Sequence, residues 1–179
     1  QGKPLDILVN NAGTSIFVPF AQATSAQFEM SMRLNITAPY FLTQGLLPYL
    51  SLSRHPAIIN VSSYFAEKML PARPSSLYSL TKGAMNSLTK ALAFELGSSG
   101  IRVNAIVPGT IDTPLRRRTI ESLSVEDQRI LASYVSSAYP LGRIGCADDL
   151  AGIALFLASQ QSSWTTGGLF AVDGGLMTG

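Results

Sequence analysis

Ala57-Ile58-Ile59-Asn60-Val61, followed at once by Ser62 and Ser63, is the stretch that decides the fold. Its apolar residues run on without alternating, the pattern of a parallel strand covered on both faces. Residues 6–10, 102–107 and 169–172 read the same way. Between these runs lie segments with helical spacing. Residues 37–50 place Tyr40, Phe41, Leu42, Leu46 and Leu47 on one side of a helix. Residues 76–96 carry Leu77, Leu80, Ala84, Leu88, Ala91, Leu92 and Leu96 and end at Gly97 and Gly100, residues that stop helices. A capping box over residues 124–127 opens a helix toward Tyr139, and residues 147–158 form a last amphipathic helix. Strand and helix alternate, which predicts an α/β fold of right-handed crossovers on a parallel sheet.

In such a sheet a ligand sits beyond the carboxyl ends of the strands. The residues there are Asn11-Ala12-Gly13, Ser62-Ser63, and Pro108-Gly109 through Thr113. All three groups are polar or contain glycine, and all fall on one rim. Tyr78 and Lys82 lie four residues apart near the start of the longest helix, one turn apart on one face. An ammonium beside a phenol stabilises the phenolate and lowers its pKa, which suits proton transfer to or from an alcohol. Each of these residues also has an ordinary reading. Tyr78 and Lys82 fit a half-buried ring and a solvated charge, and paired serines close strands. Asn35 suits a helix cap, and Asn11-Ala12-Gly13 and Pro108-Gly109 suit turns.

Composition narrows the classes. With 46% hydrophobic and 13% charged residues, the chain implies strands buried on both faces or surface that partners cover. A net charge of +2 argues against nucleic acid and anionic membranes as partners. The run Arg116-Arg117-Arg118 reads as a solvated helix face. No apolar stretch has membrane-spanning length and no signal peptide is visible. The single cysteine, Cys146, forms no internal disulfide, fits a reducing, cytoplasmic setting, and has no His or Cys at ligand spacing, so no metal is expected.

In order, the chain reads LVNNAG, LNITAPYFLTQ, IINVSS, YSLTKGAMNSLTKALAFEL, IRVNAIVPGTIDTP, PLGRIG and GLFAVDGG. This succession resembles the short-chain dehydrogenase/reductase family over nearly the whole length. The resemblance implies a Rossmann-like doubly wound parallel sheet, here its last four strands and their helices. It also implies an NAD(P)-dependent oxidoreductase interconverting a carbonyl and a secondary alcohol of a small molecule. Tyr78 matches the general acid/base, and Lys82 the lysine that lowers its pKa and holds the nicotinamide ribose. Ser63, chosen over Ser62, matches the serine that polarises the carbonyl, and Asn35 the asparagine that anchors a relay water. Asn11, Ala12 and Gly13 are expected along the nucleoside, and Pro108, Gly109, Ile111 and Thr113 near the nicotinamide, with Tyr78 and Lys82 also touching the cofactor. Residues 115–139 are expected to form a mobile lid, with Phe17, Phe65 and Tyr139 lining the pocket. The apolar helix faces suit a homodimer or homotetramer. His55 and Trp164 read as a loop residue and a packing residue.

The chain departs from the family in two ways. Ser63 precedes Tyr78 by fifteen residues, more than is usual, so the added residues within 65–76 are expected to reshape one pocket wall. Ala66 stands where a glycine is common. The second departure is that no G-x-x-x-G-x-G run is present, nor the residue that distinguishes NAD from NADP. Residues 1–179 are therefore expected to be a single partial domain, the carboxyl-terminal part of a longer enzyme. The part expected before it is roughly 80 residues, three βα units of about 25–30 residues each. Alone the chain is expected to be inactive, its first strand an exposed edge. The alternative is a truncated, non-catalytic chain that serves only as an association module.

Overall fold

A computed structural model describes residues 2–70, 73–121 and 124–178. Strands β1 (Ile7–Asn10), β2 (Ala57–Val61), β3 (Arg102–Pro108) and β4 (Leu169–Val172) form one parallel sheet in the order β1-β2-β3-β4. Ile7 pairs with Ala57, Ala57 with Arg102, and Ala105 with Leu169, so all carboxyl ends reach one rim. Helices α1 (Ser25–Met32), α2 (Ala38–Leu50), α3 (Ser76–Leu96), α4 (Pro114–Glu121), α5 (Val125–Ala138) and α6 (Ala147–Ala158) complete the chain. Among the described residues, no helix is long and apolar enough to cross a membrane.

On one face of the sheet, Leu8, Ile58 and Val103 pack with Leu50, Ala93 and Ile101, and Leu46, Leu47, Leu92 and Leu96 close over them. On the other face, Ile59 and Ile106 pack against Leu157, with Ile153 and Phe170 beside them. Only the two central strands are covered as expected. β1 alternates, with Leu8 and Asn10 buried and Ile7 and Val9 41% and 52% exposed, because β2 is its one neighbour among the described residues.

Three expectations need correction. Asn35 is no cap: a π-helical turn, Arg33–Thr37, joins α1 to α2 in one unbroken run that starts at Thr24, whose side chain forms a capping box with Gln27. The apolar residues of α2 do not share a side. Leu46 and Leu47 face the core while Tyr40, Phe41 and Leu42 are exposed, since three consecutive residues sweep most of the way around a helix. Trp164 packs against nothing; it is fully exposed in the turn before β4. His55 lies in the loop before β2, as expected. The expected capping box ends on the side chain of Asp127, outside the described residues.

Local chemistry explains the remaining ends. Gly100, at φ 73°, ends the turn after α3 in the left-handed region that glycine adopts without strain. Asp149 accepts from Cys146 N (2.7 Å) at the start of α6 and pairs with Arg143 (2.7 Å). At the far end, Arg102 donates to the carbonyls of Leu157 (2.9 Å) and Ser159 (3.2 Å), placing a cation against the helix's negative end.

Candidate active site

The rim gathers residues from β1, β2, α3 and the loop after β3 around a cavity of about 490 Å³. α3 begins after Ser75, so Tyr78 lies in its first turn and Lys82 one turn on, both directed toward the end of β2. Ser63 and Tyr78 line the cavity together, and the Ser63 side chain favours the ionised form of the Tyr78 phenol. Ser62 turns away and donates instead to the main-chain carbonyl of Lys82 (3.2 Å). Phe17 and Phe65 bracket Tyr78, their ring centroids 5.5 and 5.7 Å from its own.

Lys82 is buried, and Nζ donates to the Val61 carbonyl (2.8 Å). Burial pulls its pKa down to about 8. The ammonium stands 5.7 Å from the centre of the Tyr78 ring. Tyr78 is not made acidic by it in this chain. Burial raises the phenol above its ordinary value and only the Ser63 side chain opposes the rise. The spacing of four residues brings the two side chains together, but desolvation of the phenolate outweighs any charge effect of a lysine that is itself desolvated.

Asn35 joins three segments. Its Nδ2 donates to Thr14 O (2.8 Å) and Thr81 Oγ1 (2.9 Å), and its Oδ1 accepts from Thr14 N (2.8 Å). Thr81 in turn donates to the Tyr78 carbonyl (2.8 Å). Asn35 thereby ties the loop after β1 to the helix that carries Tyr78. Gly13 lies between Asn35 and Lys82: a methyl group built on it would stand 3.3 Å from Asn35 Oδ1 and 3.7 Å from Lys82 Nζ. Asn11 and Ala12 are exposed beside it. Behind the rim, Asn10 Nδ2 donates to Thr43 (3.2 Å) and to Asn60 Oδ1 (2.8 Å), and Asn60 Nδ2 donates to Thr89 (2.9 Å).

Pro108 ends β3, and Gly109, Ile111 and Thr113 line the cavity. Gly109 packs so closely on β4 that a Cβ would stand 2.8 Å from Asp173 Cα, so no larger residue fits without displacement. Thr110, between the expected residues, is the hub of the loop. Tyr139 Oη donates to its Oγ1 (2.7 Å) and accepts from its N–H (3.1 Å). Tyr64 is buried in the same cavity wall, and burial drives its phenol well above its usual range. The segment expected as a lid forms α4 and α5, whose Ile120, Leu131 and Tyr134 line the cavity.

Sequence reading missed Thr81 and Arg73, took Arg116 for part of a solvated face, and included Thr110 only as a member of the rim stretch 108–113. Thr81 was within reach, since it lies inside the Tyr78–Lys82 turn at helical spacing from Tyr78. The arginine run does not behave as one solvated face. Arg117 and Arg118 are exposed, but the Arg116 side chain is only 22% exposed and borders the cavity.

Known proteins share this arrangement. The family described as enoyl-(acyl carrier protein) reductase matches residues 1–177. An uncharacterized oxidoreductase of Bacillus subtilis is 35% identical over 173 residues, 97% of this chain and 67% of its own. A tropinone reductase homolog of Arabidopsis thaliana is 38% identical over 175 residues, 98% of this chain and 61% of its own. A gluconate 5-dehydrogenase from Burkholderia cenocepacia, solved with NADP and tartrate, superimposes with a TM-score of 0.88 at 31% identity, covering 98% of this chain and 66% of that one. The chain thus spans about two thirds of the length of each of these relatives. With an oxidoreductase family matched over residues 1–177 and the fold superimposing on solved members, the chain belongs to the short-chain dehydrogenase/reductase family.

Proposed function

We propose that this chain carries the proton-transferring part of a nicotinamide-dependent oxidoreductase that interconverts a carbonyl and a secondary alcohol. The observation that carries the reading is that Ser63 and Tyr78 line one cavity wall together, with Lys82 one turn behind. The Ser63 hydroxyl orients a substrate carbonyl, and the Tyr78 phenol, protonated at neutrality as phenols ordinarily are and kept so by burial, donates to the oxygen as it gains charge. Lys82 lies behind Tyr78 as the next proton source. Both N–H groups of the Asn35 amide are engaged, so a relay water meets that residue at Oδ1 or at its main-chain carbonyl.

A nicotinamide cofactor fits the rim. Lys82 Nζ has three N–H donors, and the one hydrogen bond found for it among the described residues goes to Val61 O, which leaves donors for ribose hydroxyls beside side-chain-free Gly13. Asn11, Ala12 and Gly13 would flank the nucleoside, and Pro108, Gly109, Ile111 and Thr113 the nicotinamide. When bound, this group supplies or accepts the hydride.

In the full-length protein, Tyr78→Phe is expected to lower turnover of ketones about 10²–10⁴-fold, followed by nicotinamide absorbance, with an unchanged circular dichroism spectrum. Normal turnover in that variant overturns the reading. Because the Lys82 ammonium loses its proton as pH rises through about 8, carbonyl reduction is expected to decline above that pH. Subunit association belongs to the same reading. Tyr40 and Phe41 on α2 and Leu80 and Phe94 on α3 stand exposed in the single chain as apolar surface for a second copy. Sedimentation of the full-length protein as a monomer would remove that part.

A further inference from the structure

The cavity carries two cations and no carboxylate among its described lining residues. Arg73 and Arg116 both border it, Arg73 from the segment lengthened between Ser63 and Tyr78 and Arg116 from α4. The Arg73 guanidinium lies over the Phe17 ring, 4.4 Å from its centre, and Phe17 is in turn 5.5 Å from Tyr78. Arg73 is thus one aromatic ring away from the phenol.

Neither guanidinium is neutralised by a close partner among the described residues. Arg116 has Asp112 at 4.0 Å, but the carboxylate of Asp112 is held by Arg117, which donates to it at 2.7, 3.0 and 3.1 Å. Burial of Arg116 weighs most against its charge; Asp112 and then Tyr139 offset part of that cost, and Arg73 adds a smaller repulsion. Two like charges facing one half-closed, aromatic cleft are unfavourable unless an anion joins them. Guanidinium groups grip planar carboxylates through paired N–H donors, and the flanking rings and aliphatic side chains suit an apolar body.

We infer that the cleft selects carbonyl substrates bearing a carboxylate, with Arg73 and Arg116 binding the carboxylate, Phe17, Leu131 and Val135 contacting the apolar body, and the carbonyl facing Ser63 and Tyr78. This rests on the carbonyl–alcohol reading above. It adds a substrate class that the Ser63–Tyr78 pair alone does not specify.

The test compares 5-oxo-5-phenylpentanoate with its methyl ester as substrates of the full-length protein. The wild type is expected to favour the acid in kcat/KM, chiefly through KM. Arg73→Ala and Arg116→Ala are each expected to shrink the acid-over-ester ratio about 10–100-fold, the strength of a charged hydrogen bond, and Arg→Lys at either position to keep part of it. Equal use of acid and ester by the wild type, or a ratio unmoved by the Ala variants, overturns the inference. A second readout is independent of turnover. Calorimetric titration with 5-phenylpentanoate, which has no carbonyl to reduce, is expected to show binding to wild type that is lost in R73A/R116A. That result upholds the inference even if Tyr78→Phe remains active and the catalytic reading falls. No binding by the wild type, while ketones are still reduced, overturns the inference and leaves the catalytic reading standing.

Discussion

Leu8, Ile58 and Val103, and toward the carboxyl ends of β1 and β2 Asn10, Asn60 and, just past β2, Ser63, are equally hidden from solvent but held in different ways. At the apolar end, α2 and α3 close over the sheet with leucines, and burial itself stabilises. At the rim, burial costs free energy unless every polar group finds a partner. Most do, through the chain Asn10–Asn60–Thr89 and the ties of Asn35 to Thr14 and Thr81. Asn10 Oδ1 has no partner among the described residues, the Lys82 pKa is drawn down to about 8, and that of Tyr78 is pushed up. The apolar end supplies stability, and the rim gives part of it up to hold reactive groups in place. The two regions are therefore expected to respond oppositely to substitution, one in stability and the other in chemistry.

The strongest challenge to that division is Leu50→Ala at the apolar end, where the side chain is fully buried. It is expected to cost about 2–5 kcal/mol in urea unfolding while the surviving folded protein keeps its rate, because the cavity forms far from the rim. A rate that falls with it would couple the two regions. Asn60→Ala falls on the border between them. It removes one partner each from the Asn10 amide, which keeps Thr43, and the Thr89 hydroxyl, which keeps the Met85 carbonyl, with an expected loss of about 1–3 kcal/mol that Asn60→Asp does not fully restore. Gly109→Ala sharpens the comparison at the rim. The added methyl presses on Asp173 and is expected to cost about 1–3 kcal/mol and to weaken nicotinamide binding in fluorescence titration.

The smallest effect is a pH slope. The folded pKa of Lys82 lies near 8, below its ordinary value of 10.5. Between those values the unfolded chain holds a proton that the folded one lacks, so this group makes stability rise with pH from about 8 toward 10.5. Below about 8 both states are charged and the burial penalty is at its full value. Urea unfolding is expected to show a gain of about 1 kcal/mol between about pH 8 and 9 that Lys82→Met lacks. Equal slopes in the two proteins would mean that Lys82 is not desolvated in the folded state.

Much of the fold was legible in advance because its signals are local. The apolar runs placed β2 and β4 at their observed limits, and helical spacing with Gly97 and Gly100 bounded α3. The cavity walls at Phe17, Phe65 and Tyr139, and the loop at Gly109, Ile111 and Thr113, were anticipated from their place after the strands and from family resemblance. α1 was not anticipated, and neither was the π turn; α4 was seen only as a helix face at Arg116-Arg117-Arg118. In α1 only Ser31 is buried, with Gln27 and Met32 half-buried, and the apolar stripe is weak, so periodicity does not reveal it. The π turn depends on Asn35 reaching Thr14 and Thr81, and no pattern within one segment encodes that reach.

The order of strands and helices, the parallel sheet and the rim on which polar residues gather were determined by the sequence alone. Each follows from residue spacing within a single element. Tertiary structure alone decided that Thr81 and Thr110 tie the rim together, that Arg73 and Arg116 share a cleft, and that Trp164 stands in solvent. It also decided that Tyr78 is less acidic rather than more. These depend on which distant residues meet and on how much water is excluded where they meet, and a pKa or an ion pair answers to that exclusion more strongly than to spacing along the chain.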